Sequence, residues 1–224
     1  MFAVAIDGPS GAGKSSVARA VAKKLGFIYV DTGAIYRTVA FALLEQKIDL
    51  LDEAAIKAFL PQVRVQLKRM NAEQRMFLGD RDVTEQLRSP EVTKAASVAA
   101  AVPAVREFLL GIQRQMAEKH DVIMDGRDIG TVVLPHADVK IFLTASAEER
   151  AGRRVAQMEA AGMKPDFPIV LSDIRERDER DANREIAPLK PSEDSILIDS
   201  SHSTKKETVQ KILSVIQNAR KQKG

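Results

Sequence analysis

Short apolar runs alternate with helical stripes along most of this chain. Five of the runs predict buried parallel strands, because a strand covered on both faces is apolar almost throughout. These runs are residues 2–7, 27–30, 122–125, 139–143 and 195–199. After the first run, apolar residues fall on one side of a helix at Val17, Val21, Ala22 and Leu25, and Gly26 can end that helix. A strand, a helix and a second strand within about thirty residues indicate a βαβ unit.

Capping residues mark the starts of several later helices. In a capping box, a hydroxyl and a carboxylate three residues apart satisfy amide groups that the helix leaves without partners. This spacing occurs at Ser146 with Glu149 and at Thr204 with Glu207. Pro90 and Pro103 suit the first position of a helix, where the missing N–H group costs nothing. We therefore expect a helix to begin near each of these residues.

The middle of the chain departs from the alternation of strand and helix. Apolar and polar residues alternate strictly over residues 63–68, as in a strand with one buried face. A second run follows at residues 75–78 and ends at a turn formed by Gly79 and Asp80. These patterns predict a small antiparallel sheet inserted into the α/β core.

A glycine and two prolines interrupt the helical pattern that begins near Ala147. They lie in residues 162–168, which read Gly-Met-Lys-Pro-Asp-Phe-Pro. Proline removes a backbone donor and clashes with the preceding turn, so this segment breaks the helix. We expect a mobile flap between two helices.

Composition and charge exclude several classes of protein. The 34 Lys and Arg residues barely exceed the 31 Asp and Glu residues, so we expect no nucleic acid polymer as a partner. The chain has no cysteine, which excludes disulfides and thiolate metal sites. The first apolar run stops at Asp7 without the features of a signal peptide, and no run approaches the roughly 20 residues that span a bilayer. The expectation is a cytoplasmic monomer with no membrane partner.

A phosphate-binding motif follows the first predicted strand directly. Residues 8–15 read Gly-Pro-Ser-Gly-Ala-Gly-Lys-Ser, the full P-loop pattern, at a strand-to-helix junction. Backbone amides of such a loop converge on phosphate, the lysine reaches the outer phosphates, and the serine hydroxyl binds Mg²⁺. The predicted site for ATP and Mg²⁺ comprises Gly8, Pro9, Ser10, Gly11, Ala12, Gly13, Lys14, Ser15 and Ser16. Asp125 ends another predicted strand and would hold Mg²⁺ through water, together with Ser15; a turn or N-cap role is the alternative.

A P-loop alone does not distinguish a kinase from a GTPase, a motor or a recombinase. The Asn-Lys-x-Asp and Asp-x-x-Gly motifs of GTPases do not occur in this chain. A kinase needs arginines that hold a second phosphate and neutralise the transferred group. Candidates are Arg37, Arg127, Arg150, Arg153, Arg154, Arg175, Arg177, Arg180 and Arg184. For any single one of them, an ion pair on a solvated helix remains the alternative.

Three further segments resemble the bacterial cytidylate kinases. They are residues 31–37 (Asp-Thr-Gly-Ala-Ile-Tyr-Arg), 125–133 (Asp-Gly-Arg-Asp-Ile-Gly-Thr-Val-Val) and 177–184 (Arg-Asp-Glu-Arg-Asp-Ala-Asn-Arg). The resemblance extends over nearly the whole chain. It implies ATP-dependent phosphorylation of CMP or dCMP. A UMP, AMP or shikimate kinase, or a nucleotide-binding module without catalysis, remains the alternative.

The resemblance also implies a fold. The expected class is α/β, a P-loop NTPase with three α/β/α layers, a five-stranded parallel sheet, a small antiparallel sheet in a monophosphate-binding lobe, and a helical lid. We expect a single kinase domain over residues 1–224. Its core would comprise residues 1–31, 107–150 and 185–224, its lobe about residues 32–106 and its lid about residues 151–184.

Particular residues receive roles from the resemblance. The acceptor phosphate would be bound by Arg37, Arg127 and Arg184, with Thr32, often Ser in relatives, close to it. The sugar would be held by Arg177 and Asp181. The cytosine edge, which offers an amino donor beside two acceptors, would be read by Ser97, Arg106 and Asp128. The implied catalytic set is Lys14, Arg127, Arg177 and Arg184.

Overall fold

The structure, a computed structural model, describes residues 1–70 and 73–223 of the chain. Its contacts divide it into two compact units. The larger unit comprises Met1–Tyr29 with His120–Gly224, and the smaller unit comprises Val30–Lys119. The prediction of a single kinase domain stays a prediction, and each unit is described by itself.

A five-stranded sheet forms the centre of the α/β fold. Its strands are β1 (Ala3–Asp7), β2 (Ile28–Asp31), β6 (Val122–Gly126), β7 (Val139–Thr144) and β8 (Ile196–Asp199), in the order β2-β6-β1-β7-β8. The pairs of β1 with β6, of β1 with β7, and of β7 with β8 are parallel. The predicted five-stranded parallel sheet is therefore confirmed, with strand ends that differ from the prediction by a residue or so.

Two helices pack together on the main hydrophobic core of the larger unit. They are α1 (Lys14–Leu25) and α8 (Lys205–Lys223). The core includes Val4 and Ile6 of β1, Val21 of α1, and Ile212 and Ile216 of α8, all almost fully buried. Gly26 ends α1 with φ +72°, as predicted. At the start of α8, Thr204 and Glu207 form the predicted capping box, in which the Thr204 amide donates to the Glu207 carboxylate at 2.8 Å.

The predicted lid region is a pair of helices with its own small core. These are α6 (Ala147–Ala160) and α7 (Phe167–Asn183), which pack through Ala151, Val170 and Ile174. Ser146 caps α6 by accepting the Glu149 amide at 3.2 Å. Residues 163–166 lie outside both helices, where the proline-rich segment interrupts the pattern. The mobility of this segment stays a prediction.

The smaller unit contains helices and the predicted antiparallel sheet. Its helices are α2 (Thr32–Glu45), α3 (Glu53–Phe59), α4 (Pro90–Ala99) and α5 (Pro103–Lys119). The sheet consists of β3 (Val65–Met70), β4 (Glu73–Leu78) and the short β5 (Arg81–Asp82), all antiparallel. Helices α4 and α5 begin at the predicted prolines. Helix α2 packs on α4 and β4, so the smaller unit has a core of its own.

Among the described residues, no single helix is both long enough and apolar enough to cross a membrane. Within the same described residues, only α4 and α5 taken together have the length and apolar composition of a membrane span, and the two helices are bent by 99° relative to each other.

Candidate active site

The P-loop connects β1 to α1 and lies close to its neighbours. Gly8 has φ +144°, and a Cβ atom there would lie 1.9 Å from the carbonyl oxygen of Leu143. Because that oxygen belongs to the backbone, no side chain fits at this position. At Gly11 (φ +79°), a Cβ atom would lie 3.2 Å from Cβ of Arg150. Contacts with β7 and α6 thus restrict the conformations of the loop.

Lys14 lies folded against the P-loop itself. Its ammonium donates to the carbonyl oxygen of Pro9 at 2.7 Å, and the residue is only 6% exposed. Burial lowers the pKa of Lys14 well below its ordinary value, and the charge of Arg127 lowers it further, against the opposing effect of Asp125. A phosphate group bound nearby would stabilise the charged ammonium. An anionic ligand bound at the P-loop would therefore raise the pKa of Lys14.

Ser15 and Asp125 meet at the carboxyl ends of β1 and β6. The Ser15 hydroxyl donates to Oδ2 of Asp125 at 2.8 Å, and Asp125 is buried. Hydroxyl and carboxylate oxygens suit Mg²⁺, which typically takes its remaining ligands from water and substrate phosphates. The pair fits the Mg²⁺ site predicted from the sequence, with Ser15 and Asp125 as the protein groups.

Arg127 and Asp181 form a partly buried ion pair in the larger unit. Nε of Arg127 donates to Oδ2 of Asp181 at 2.8 Å, and Asp181 is 7% exposed. Burial alone would raise the pKa of Asp181, but the charges of Arg127, Arg177 and Arg184 bring it below its ordinary value. The structure therefore holds a residue predicted for the acceptor phosphate against one predicted for the sugar.

Asp128 and Arg184 form a buried pair of predicted acceptor residues. An Nη atom of Arg184 lies 3.8 Å from Oδ1 of Asp128, and both side chains are less than 9% exposed. Nε of Arg184 donates to the carbonyl oxygen of Ala187 at 2.5 Å. Ala187 follows α7 and has φ +51°, a conformation that residues other than glycine seldom adopt. The larger unit thus brings together five predicted residues: Arg127, Asp128, Arg177, Asp181 and Arg184.

Arg150 links the P-loop to the lid helices. Its guanidinium donates to both carboxylate oxygens of Asp178 on α7, at 3.0 and 2.5 Å. The same group donates to the carbonyl oxygens of Ala145 and Ser10, at 2.9 and 3.1 Å. Because Ser10 belongs to the P-loop, Arg150 connects that loop with α7.

Two other arginines of these helices, Arg153 and Arg175, contact residues distant in the sequence. Arg153 donates to the carbonyl oxygen of Ser200 at 2.6 Å. Arg175 pairs with Glu148 at 2.7 Å, and both side chains are more than half exposed. For Arg175, the structure therefore matches the ion-pair alternative.

In the smaller unit, the start of α2 holds two of the predicted acceptor residues. Asp31 caps the helix by accepting the amide of Ala34 at 2.8 Å. Its other carboxylate oxygen lies 3.3 Å from an Nη atom of Arg37. Thr32 is the first residue of the helix and is 3% exposed. Sequence reasoning gave Asp31 no role of its own, although an aspartate immediately before a helix is a familiar capping signal.

Ser97 and Arg106, predicted to read the base, also lie in the smaller unit. Arg106 is 8% exposed, donates to the carbonyl oxygen of Ala100 at 3.2 Å, and has its guanidinium carbon 5.9 Å from the centroid of the Tyr36 ring. The Ser97 hydroxyl is buried and has no hydrogen-bond partner within residues 1–70 and 73–223. A buried hydroxyl of this kind suits the recognition of a ligand.

Asp7 is a buried carboxylate that sequence reasoning treated only as the end of a strand. It is 5% exposed and accepts the amides of Ile129 and Gly130 at 2.8 and 2.7 Å. Burial raises the pKa of Asp7 to about 6, even though the two amide hydrogen bonds lower it. An acidic residue just before a P-loop is the only sequence signal for this arrangement.

Comparison with known proteins places these residues in a family. The protein-family model described as cytidylate kinase matches residues 4–218 of this chain. The chain belongs to the cytidylate kinase family. The cytidylate kinase of Carboxydothermus hydrogenoformans is 47% identical to it over 95% of this chain and 96% of its own length. That of Leuconostoc mesenteroides is 48% identical over 97% of each chain. The resemblance stated from the sequence motifs is confirmed, and the family implies that this chain is a kinase.

A solved structure supports the fold alone. The gluconokinase of Sinorhizobium meliloti 1021 superposes with a TM-score of 0.50 and 16% identity, over 98% of this chain and 94% of its own. The expected α/β fold of P-loop kinases is confirmed.

Proposed function

We propose that this chain transfers the γ-phosphoryl group of ATP to CMP or dCMP, giving CDP or dCDP and ADP. The observation that carries the proposal is the match to the cytidylate kinase family over residues 4–218, which spans every residue of the proposed site. The contacts of Ser15 with Asp125 and of Arg127 with Asp181 agree with a site that binds phosphate and a charged acceptor.

The proposed chemistry depends on position and charge. Phosphoryl transfer needs little covalent help, so alignment and neutralisation of the transferred group supply most of the rate. Lys14 would bind the outer phosphates of ATP, and Arg127, Arg177 and Arg184 would stabilise charge on the transferred group. Mg²⁺, when bound at Ser15 and Asp125, would neutralise further phosphate charge. The acceptor phosphate is already anionic at neutral pH, so no general base is required.

Base selection is proposed to rest on Ser97, Arg106 and Asp128. An ionised carboxylate only accepts hydrogen bonds, which suits the amino group of cytosine and opposes the carbonyl group of uracil. Arg106 supplies donors for the cytosine acceptors. Its burial and its carbonyl partner Ala100 restrict the guanidinium to few orientations.

The lid is proposed to exclude water during transfer. Water competes with CMP as an acceptor, so a kinase gains from closing before the reaction. Arg150 joins the P-loop to α7 through Ser10 and Asp178, which gives the lid a direct connection to the loop that would bind ATP.

The test is an acceptor panel with the purified chain. ADP release would be followed with CMP, dCMP, UMP, AMP and shikimate in separate reactions, each with ATP and Mg²⁺. We expect CMP and dCMP to be used with the highest kcat/KM. Faster turnover of UMP, AMP or shikimate would show that this compound, and not CMP or dCMP, is the preferred acceptor. Binding of ATP without turnover of any acceptor would favour a module without catalysis.

A further inference from the structure

The segment that follows Arg127 and Asp128 is an unusual helical turn. Residues Ile129–Val133 form one turn of π-helix, closed by a hydrogen bond of 2.7 Å from the Leu134 amide to the Ile129 carbonyl oxygen. The first amides of any helical turn have no partner inside the turn. In this turn they belong to Ile129 and Gly130, directly after two residues of the proposed acceptor site.

Asp7, the last residue of β1, accepts hydrogen bonds from both of these amides. One carboxylate oxygen accepts the Ile129 amide at 2.8 Å and the other accepts the Gly130 amide at 2.7 Å. The local capping position is occupied by Asp128, whose side chain makes no capping hydrogen bond. The capping function that an aspartate commonly performs for its own helix is therefore performed by a residue 122 positions away in the sequence.

The turn also lies close to Asp7 and to the neighbouring strand. A Cβ atom on Gly130 would lie 3.4 Å from Oδ2 of Asp7 and 3.2 Å from Cδ of Lys140 on β7. A larger residue at position 130 would have to displace Lys140 or move away from Asp7. The backbone of the turn is thus held on one side by hydrogen bonds and on the other by close packing.

We propose that Asp7 is a positioning residue for the acceptor-binding segment Arg127–Asp128. By capping the turn, Asp7 fixes the backbone immediately after these two residues and leaves the Asp128 carboxylate to face Arg184, 3.8 Å away, and the acceptor. This inference rests on the proposed function, because that function assigns Arg127 and Asp128 to CMP. Asp7 would act through the backbone and would touch neither nucleotide.

The test compares Asp7→Asn with a matched control. The substitution keeps the size of the side chain but turns one accepting oxygen into a donor that faces an amide. Asp121→Asn is the control, because Asp121 also accepts an amide of the first strand region, that of Phe2 at 2.7 Å, but at the opposite end of the sheet. Both variants are studied as the full chain, with a thermal melt to measure folding.

Two readouts distinguish a positioning role from a general loss of stability. Hydrogen exchange of the Ile129 and Gly130 amides should accelerate about tenfold or more in Asp7→Asn, as expected for the loss of a hydrogen bond to a charged group. The Kd and KM for CMP should rise about tenfold, while those for ATP or its analogue change by less than about threefold. Asp121→Asn should leave the exchange of both amides, and the Kd and KM for CMP and for ATP, near their wild-type values.

Unchanged amide exchange and unchanged CMP affinity in a folded Asp7→Asn protein would overturn the proposal. An equal loss of ATP and CMP affinity would also overturn it, because Asp7 would then act on the P-loop as a whole. If Asp7→Asn does not fold, Gly130→Ala tests the same contact from the other side and should give the same preferential loss of CMP affinity. A wild-type chain that does not bind CMP would contradict the proposed function alone, and the exchange of the two amides would then decide whether Asp7 holds the turn.

Discussion

At the scale of single residues, the ammonium group of Lys14 donates to Pro9 within the P-loop and is buried. Replacement by methionine keeps most of the side chain's length and removes the charge. We expect Lys14→Met to lower kcat by about 10² or more, the usual cost of deleting one donor to the transition state. Steady-state kinetics with CMP measure the effect, and Lys23→Met, an exposed change on the same helix, is the control. Near-wild-type turnover in a folded Lys14→Met protein would exclude Lys14 from the mechanism.

Asp128 carries the prediction for base selectivity. Asp128→Asn replaces an accepting oxygen with a donor amide at nearly constant volume. It should lower kcat/KM for CMP and narrow the preference over UMP, because a site built to pair a polar group can discriminate by up to about 10⁴. The ratio of kcat/KM for CMP and UMP is the measurement.

The control for Asp128 is Asp138→Asn, since Asp138 accepts the Ala3 amide at 2.8 Å near the other end of the sheet. A folded Asp128→Asn protein that keeps the wild-type ratio would show that Asp128 does not read the base.

At the scale of elements, the connection between α6 and α7 carries a prediction about closure. Residues 163–166 lie outside both helices, and Lys164 is exposed. If the lid closes on both nucleotides, amide exchange in this segment should slow when an ATP analogue and CMP are bound together, and less with either alone. Exchange measured by mass spectrometry over residues 161–167 gives the answer, with residues 201–203 as an internal reference. Equal exchange with and without both ligands would contradict a lid.

At the scale of the whole molecule, Asp7 gives stability a defined dependence on pH. Burial raises the pKa of Asp7 from 3.8 to about 6, so the folded chain holds this proton more tightly than the unfolded chain does. The contribution of Asp7 to the free energy of unfolding is therefore complete below about pH 4 and is lost as pH rises through about 6. The change is at most about 3 kcal/mol, since one pKa unit corresponds to about 1.36 kcal/mol.

Urea unfolding of the wild type and Asp7→Asn between about pH 4 and 7 measures this contribution. Asparagine does not titrate, so the stability of the wild type relative to the variant should decline as pH rises. Carboxyl groups with lowered pKa values, such as Asp181, cancel in the comparison because both proteins contain them. A difference that stays constant with pH would contradict the raised pKa.

Local patterns in the sequence determined most of the fold and the phosphate site. The apolar runs predicted the five strands of the parallel sheet, and alternation predicted the smaller antiparallel sheet, because side-chain periodicity follows backbone geometry. The spacing of glycine, lysine and serine predicted the P-loop, because one continuous segment of the chain supplies all the groups of that loop. The resemblance to cytidylate kinases, confirmed by the family match, named the acceptor residues.

Only the tertiary structure decided which distant residues meet. The pairs Arg127 with Asp181, Arg150 with Asp178, and Asp7 with the turn at Ile129 join segments separated by 54, 28 and 122 positions. The periodicity of apolar residues does not predict such contacts, because they depend on the order of the strands in the sheet and on the packing of the helices. The raised pKa of Asp7 has the same origin. A carboxylate at the end of a strand is ordinary in the sequence, and its pKa rises only because folding buries it, an effect that outweighs the two amide hydrogen bonds that lower it.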